Sequence, residues 1–285
     1  MSMNLSNGLR QTQTILDRIV EVRAQQLICD KKMRSENELL NLIQSIAEPC
    51  DFANVLLHGA HLTPMNTRVH LIAEIKRASP SKGDLNLLLD APKQASEYIN
   101  AGVAGISILT EPDFFKGSIE DLYNVKQVIS DELGRPGLLR KEFIWDSYQI
   151  IEARAFGADS LLLIAMLLEP LLLKELVQLS RSMGMEPLVE IHDENELEIA
   201  LGAGAWIIGI NNRDLRNFKE DLNTAERLIP LIPHDYIIVA ESGIREFADV
   251  ERMIAAGADA LLVGEALVKK ELSNQMIQTF MGIEI

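Results

Sequence analysis

Glutamate and lysine stand two residues apart at the end of an apolar run in LIAEIKRASPSKG, residues 71–83, where Glu74 and Lys76 precede a Ser-Pro-Ser break. In an extended chain Ile72, Glu74 and Lys76 share one face, and Leu71, Ala73 and Ile75 share the other. A carboxylate and an ammonium on the inner face of a buried strand are costly to desolvate. Such a pair is either an internal salt bridge or an acid–base couple. Further apolar runs also end in polar residues: Glu111 to Ser118, Lys141, Glu190, Asn211 with Arg213, Ser242-Gly243 and Gly264-Glu265. Ionisable groups gathered in one cleft shift one another's pKa values, which is how acid–base catalysis is arranged. The glycines of ESGI (241–244) and LLVGE (261–265) either let backbone N–H groups approach an anion or simply make turns.

These residues need elements that bring them together. Eight short apolar runs, at 71–76, 104–109, 137–141, 159–164, 186–191, 206–210, 236–241 and 259–264, read as strands covered on both faces. Amphipathic stretches such as Ile119–Ile129 and Leu171–Ser182 lie between them and read as helices. Alternation of this kind implies right-handed crossovers and a parallel sheet. Eight such units imply an α/β fold, a closed (β/α)8 TIM barrel, whose active site lies at the C-terminal ends of the strands. Loops seven and eight are the usual phosphate site there, where Ser242, Gly243, Gly264 and Glu265 fall. Asp193 with Glu196 reads as a capping box, and Ser118 with Asp121 as a weaker one. Gly-Ala recurs before strands four, six and eight, a weak internal repeat that would close each helix tightly. Residues 1–65 stand outside the repeat. Ile15, Ile19, Val22 and Leu27 lie near helical spacing, and Leu39–Ile46 gives a second stripe. They predict an N-terminal helical extension that caps one end of the barrel and serves packing. Residues 1–285 are expected to form a single barrel domain.

The composition removes several function classes. Lys and Arg number 27 against 42 Asp and Glu, a formal charge of −15, which argues against nucleic acid or an anionic membrane as partner. An anionic small molecule remains compatible if the pocket gathers positive charge locally. Cys29 and Cys50 form neither metal-spacing pair nor disulfide framework, which fits a reducing cytoplasm. The opening MSMNLSNGLRQTQT lacks the apolar core of a signal peptide, and the apolar run Leu161–Leu168 is too short to span a membrane. Gly202-x-Gly204 precedes a strand and has Ile207 where a dinucleotide fingerprint needs its third glycine. The histidines at 58, 61, 70, 192 and 234 show no ligand spacing, and His192 is expected at a helix entry. Metal-free acid–base chemistry on a phosphorylated substrate remains.

Five ordered motifs, IAEIKRASPSKG, LTEPDFFKGS (109–118), LLRKEFI (138–144), IGINNRDL (208–215) and AESGI (240–244), resemble those of the indole-3-glycerol phosphate synthase family. ILDRIVEVRAQQL (15–27) is similar to that family's extra helix. The resemblance implies ring closure, decarboxylation and dehydration of 1-(2-carboxyphenylamino)-1-deoxyribulose 5-phosphate in tryptophan biosynthesis, without cofactor or metal. It implies that Lys141 is the general acid on the substrate ketone and Glu190 the general base. Lys76 would bind the substrate carboxylate and share proton transfers, while Glu74 and Asn211 orient the reacting groups. Arg213, Ser242, Gly243 and Gly264 would bind substrate, the last three nearest the phosphate, and Ser79 and Phe115 would embrace it from their loops.

Two positions depart from the family pattern. Glu142 stands where the residue after the catalytic lysine is usually Asp. Glu265 follows the last phosphate-site glycine, so its side chain is expected to turn away while its N–H faces the anion. Three other readings compete. Phosphoribosylanthranilate isomerase chemistry needs a Cys base at the end of strand one, and Cys29 and Cys50 lie elsewhere. A Schiff-base aldolase acting through Lys141 is the second, and a phosphate-binding scaffold without turnover the third. A monomer with only transient contacts to neighbouring pathway enzymes is the expected assembly. The chain ends soon after the eighth run, so no fused isomerase domain is expected.

Overall fold

A computed structural model describes residues 8–129, 133–267 and 273–282 of the chain; the polar opening from Met1 to Asn7 lies outside them. Eight parallel strands close into a barrel: β1 (His70–Ile75), β2 (Gly105–Leu109), β3 (Gly137–Lys141), β4 (Ser160–Ile164), β5 (Leu188–Ile191), β6 (Ile207–Asn211), β7 (Ile237–Glu241) and β8 (Ala260–Val263). Each pairs with its neighbours in sequence, and β8 returns to β1 through His70↔Ala260 to Ala73↔Val263. Every predicted run became a strand, with ends displaced by at most two residues. Strand residues are buried on both faces because helices cover the outside and side-chain layers fill the inside.

The helices of the repeat are α4 (Ala91–Asn100) after β1, then α5 (Ile119–Val128), α6 (Ser147–Ala155), α7 (Pro170–Ser182), α8 (Glu194–Ala203), α9 (Asn223–Leu228), α10 (Phe247–Ala256) and α11 (Ser273–Phe280). The two predicted capping boxes form only by half. Asp193 accepts from Glu196 N and Ser118 from Asp121 N, but neither carboxylate reaches back to its cap. The Glu196 carboxylate binds His192 N, and Asp121 is taken by Arg77 at 2.5 and 2.8 Å. The Gly-Ala repeat also has a structural reason. In Gly157–Asp159 and Gly257–Asp259 the closing Asp accepts the N–H of the second residue of the preceding strand, Leu138 (2.7 Å) and Ile238 (2.8 Å).

The N-terminal helices cap the barrel as expected, and they reach both of its ends. α1 (Ile15–Met33) lies at the mouth of the barrel, where Ile15, Leu16 and Ile19 line the central cavity. α2 (Glu36–Ile43) packs on α6. α3 (Phe52–His58) plugs the opposite end, with Phe52 pressed against Gly105 and Gly137 at the starts of β2 and β3. A side chain at Gly137 would strike the Phe52 ring, so the plug depends on glycine there. No helix among the described residues is long and apolar enough to cross a membrane.

Candidate active site

All twelve residues singled out for chemistry or binding line one cavity at the C-terminal mouth: Glu74, Lys76, Ser79, Phe115, Lys141, Glu190, Asn211, Arg213, Ser242, Gly243, Gly264 and Glu265. Alternation along each strand is the cause. On β3, Arg140 points outward into a buried network with Glu152 (2.7 Å) and Thr110 (3.1 Å), so Lys141 must point inward. The register sets Glu190 beside Gly209 and Asn211 beside Glu241.

Lys141 is the centre of the site. Its ammonium contacts Glu241 Oε2 and lies 3.4 Å from Glu190 Oε2. Across the cavity Lys76 Nζ binds Glu74 Oε1 at 2.5 Å. Burial favours the neutral amine of Lys141, but Glu241, Glu190 and Glu74 outweigh it and hold the ammonium above the ordinary lysine range. The two carboxylates beside it diverge. Burial works against ionisation of Glu190, yet Lys141, His192 and a hydrogen bond from Asn211 keep its pKa below the usual value. Burial pushes Glu241 up to about 7, with Lys141 pulling it down and Glu190 repelling it. The difference has a geometric origin: among the described residues Glu241 Oε1 finds no donor, whereas Glu190 is served from three sides. Two carboxyl groups with separated pKa values around one ammonium can hold one proton donor and one acceptor at neutral pH.

Glu241 was not among the residues selected from sequence. It was read only as part of AESGI, although it ends an apolar run just as Glu190 does. Gly209 was the second signal. A side chain at this mid-strand glycine would collide with the Glu241 carboxylate, so the bare backbone makes its room. Gly264 serves Glu74 in the same way, because a Cβ there would meet the Glu74 carboxylate. That gives this glycine a function besides the expected approach of an anion.

The loops complete the walls. Glu111 accepts the N–H groups of Asp113, Phe114 and Phe115 at 2.7–2.9 Å, which shapes the turn that presents Phe115. Phe115 lies 6.0 Å from Phe143, and Leu109, Leu162, Ile164 and Ile19 continue an apolar wall. A two-strand hairpin not foreseen from the sequence, Ala78–Ser79 with Gly83–Asp84, carries Ser79 and Ser81 to the rim. Ala78 N bonds Phe115 O at 3.1 Å, coupling the first two loops. Glu142 is buried and turned away from Lys141; it accepts from Thr110 Oγ1 at 3.0 Å and Phe143 N at 2.9 Å and pairs with Arg23 at 3.4 Å.

On the side of loops seven and eight, Ser242 and Gly243 adopt the left-handed conformation at φ 62° and 77°. A serine there is strained, a cost usually met at functional turns. Arg213 contacts Ser81, Glu220 and Glu265, and Lys82 pairs with Glu265 at 3.3 Å. The Glu265 carboxylate, expected to turn away, is therefore held at the rim by two cations. Burial raises its pKa, but Lys82, Arg213 and Lys76 outweigh this and hold it below the usual carboxylate range. Among the described residues no group of three His, Cys, Asp or Glu side chains is arranged to hold a metal ion.

Comparisons with known proteins identify the family. The family model described as indole-3-glycerol phosphate synthase matches residues 16–280. An indole-3-glycerol phosphate synthase of Dehalococcoides mccartyi is 50% identical over 200 residues, which cover 70% of this chain and 76% of that protein. One from Aliarcobacter butzleri is 42% identical over 255 residues, 90% of this chain and 94% of the relative. A multifunctional tryptophan biosynthesis protein of Schizosaccharomyces pombe is 42% identical over 273 residues, 93% of this chain. The chain spans 34% of the length of that fungal protein. With an eight-stranded parallel barrel and a family match over nearly its whole length, the chain belongs to the indole-3-glycerol phosphate synthase family.

Proposed function

We propose that this chain closes the indole ring of 1-(2-carboxyphenylamino)-1-deoxyribulose 5-phosphate, releasing carbon dioxide and water to give indole-3-glycerol phosphate in tryptophan biosynthesis. The observation that carries the reading is the Lys141 ammonium held between Glu190 and Glu241, in the cavity that also contains the Lys76–Glu74 pair. Attack of the aromatic carbon on the ketone builds negative charge on the carbonyl oxygen. The Lys141 proton is transferred there as the carbon–carbon bond forms. General acid catalysis of this kind contributes about 10²–10⁴-fold. Lys76 neutralises the substrate carboxylate until carbon dioxide departs and its bonding electrons restore aromaticity. In the final loss of water Glu190 takes up the substrate proton while the Lys76 ammonium, freed of the carboxylate, protonates the departing hydroxyl. Glu74 holds Lys76, and Asn211 holds Glu190.

The apolar wall of Leu109, Phe115, Leu162 and Ile164 suits the aniline ring. Backbone N–H groups at Ser242-Gly243 and Gly264-Glu265 bind the phosphate, with Arg213 and Ser79 closing over the sugar chain. Inorganic phosphate should compete with the substrate for that end. The chain acts as one barrel domain with its N-terminal extension, as a cytoplasmic monomer whose contacts with neighbouring pathway enzymes are transient. Sedimentation of the purified protein at micromolar concentration tests the monomer. Incubating the purified chain with the substrate and following indole fluorescence tests the reaction. Product should accumulate over many turnovers, and its absence would leave a binding protein on a catalytic scaffold.

A further inference from the structure

His192 follows β5 directly, and its side chain is 9% exposed. Nδ1 lies 3.0 Å from Glu196 Oε2, which also accepts the His192 backbone N–H at 2.8 Å. Glu196 is held in place by the Asp193 cap at the start of α8, at 2.9 Å. On the other side Nε2 lies 3.5 Å from Glu190 Oε1 and is buried without a hydrogen bond among the described residues. A neutral imidazole carries one N–H and one lone pair, so one of the two carboxylates would face a lone pair. A doubly protonated ring faces both with N–H.

We propose that His192 is a positioning residue for Glu190, held as an imidazolium between Glu196 and Glu190 so that Glu190 stays ionised and aimed at Lys141. The groups facing the ring are Glu190 from β5, Glu196 from α8 and Glu241 from β7, with Lys141 of β3 beyond Glu190. The neighbouring cavity is lined by further cations, Arg10, Arg213, Arg216, Lys219 and Arg227, and by the anions Asp193, Asp214, Glu220 and Asp221. Burial alone would lower the pKa of the ring, but Glu196, Glu190 and Glu241 raise it.

The inference rests on Glu190 being the general base, so its test has a readout that needs no turnover. Nitrogen-15 NMR of histidine-labelled native protein reports the protonation of each ring, and loss of one signal set in His192→Asn assigns His192. Both ring nitrogens should be protonated at neutral pH, and a neutral ring would overturn the proposal. In kinetics, His192→Asn should lower kcat about tenfold with KM within about twofold, and move the limb of the pH profile that belongs to Glu190 upward. An unchanged kcat and profile in the folded variant would also overturn it. Failure of native protein to form indole product would defeat the catalytic reading instead, leaving the NMR result to judge the charge on His192.

Discussion

Buried charges occur at both ends of this barrel, and they are treated differently. At the N-terminal end Arg135 holds Asp159 through both guanidinium nitrogens at 2.6 and 2.7 Å, and the same carboxylate accepts Leu138 N and Cys50 N at 2.7 Å. Its hydrogen-bonding capacity is well used. At the mouth the carboxylates crowd one ammonium, Glu241 keeps an oxygen without a donor among the described residues, and Gly209 and Gly264 give up side chains to make room. Ser242 adds backbone strain. Saturated pairs hold a fold together, whereas an unsaturated set is poised to exchange protons or bind a ligand. The contrast matches the division of barrel folds into a stability end and a catalytic end.

That contrast can be broken most easily from the stable end. Asp159→Ala leaves Arg135 buried beside a lost partner and should cost about 3–5 kcal/mol of folding stability. In urea titration the midpoint should fall, while kcat of the remaining folded enzyme stays native. A variant with native stability and reduced kcat would erase the distinction.

At the mouth, Gly264→Val should drive a side chain into the Glu74 carboxylate and disturb its partner Lys76. We expect kcat to fall by at least about tenfold and KM and the inhibition constant for phosphate both to rise. A rise in the phosphate constant alone would mean that Gly264 serves only the anion, and native values throughout would place the phosphate elsewhere.

A smaller effect should follow pH. In the free enzyme Glu241 loses its proton near 7, because burial raises its pKa against the pull of Lys141 and with repulsion from Glu190. Below that value the Lys141 ammonium loses one of its two counter-charges. The profile of kcat/KM should therefore rise as pH climbs through about 7. Glu241→Gln should abolish that inflection, and a retained inflection would assign it to another group.

Much of this was legible in the residues, for physical reasons. Strands buried on both faces read as unbroken apolar runs, so every barrel strand was recognisable. The charge at or next to the end of a run, as in LVEI or GLLRK, was recognisable too, because it breaks an otherwise apolar pattern. Glu241 carried the same sign but was absorbed into a motif read for its glycine. The rim hairpin left no trace, since strands of two residues are too short to show a periodicity. For α1, Ile15 and Ile19 announced an apolar stripe, but a stripe does not say whether it meets a helix or a cavity. The Glu196 carboxylate was predicted to cap a helix and is spent on His192, a choice decided by tertiary contact.

In the proposed reaction the Lys141 ammonium, held by Glu190 and Glu241, delivers the proton that drives ring closure. Turnover of Lys141→Ala at saturating substrate, followed by indole fluorescence, tests it most directly. We expect a kcat at least about 10²-fold below native with KM little changed, because the group acts mainly in the transition state. A folded Lys141→Ala enzyme with native kcat would contradict it and assign the general acid to Lys76.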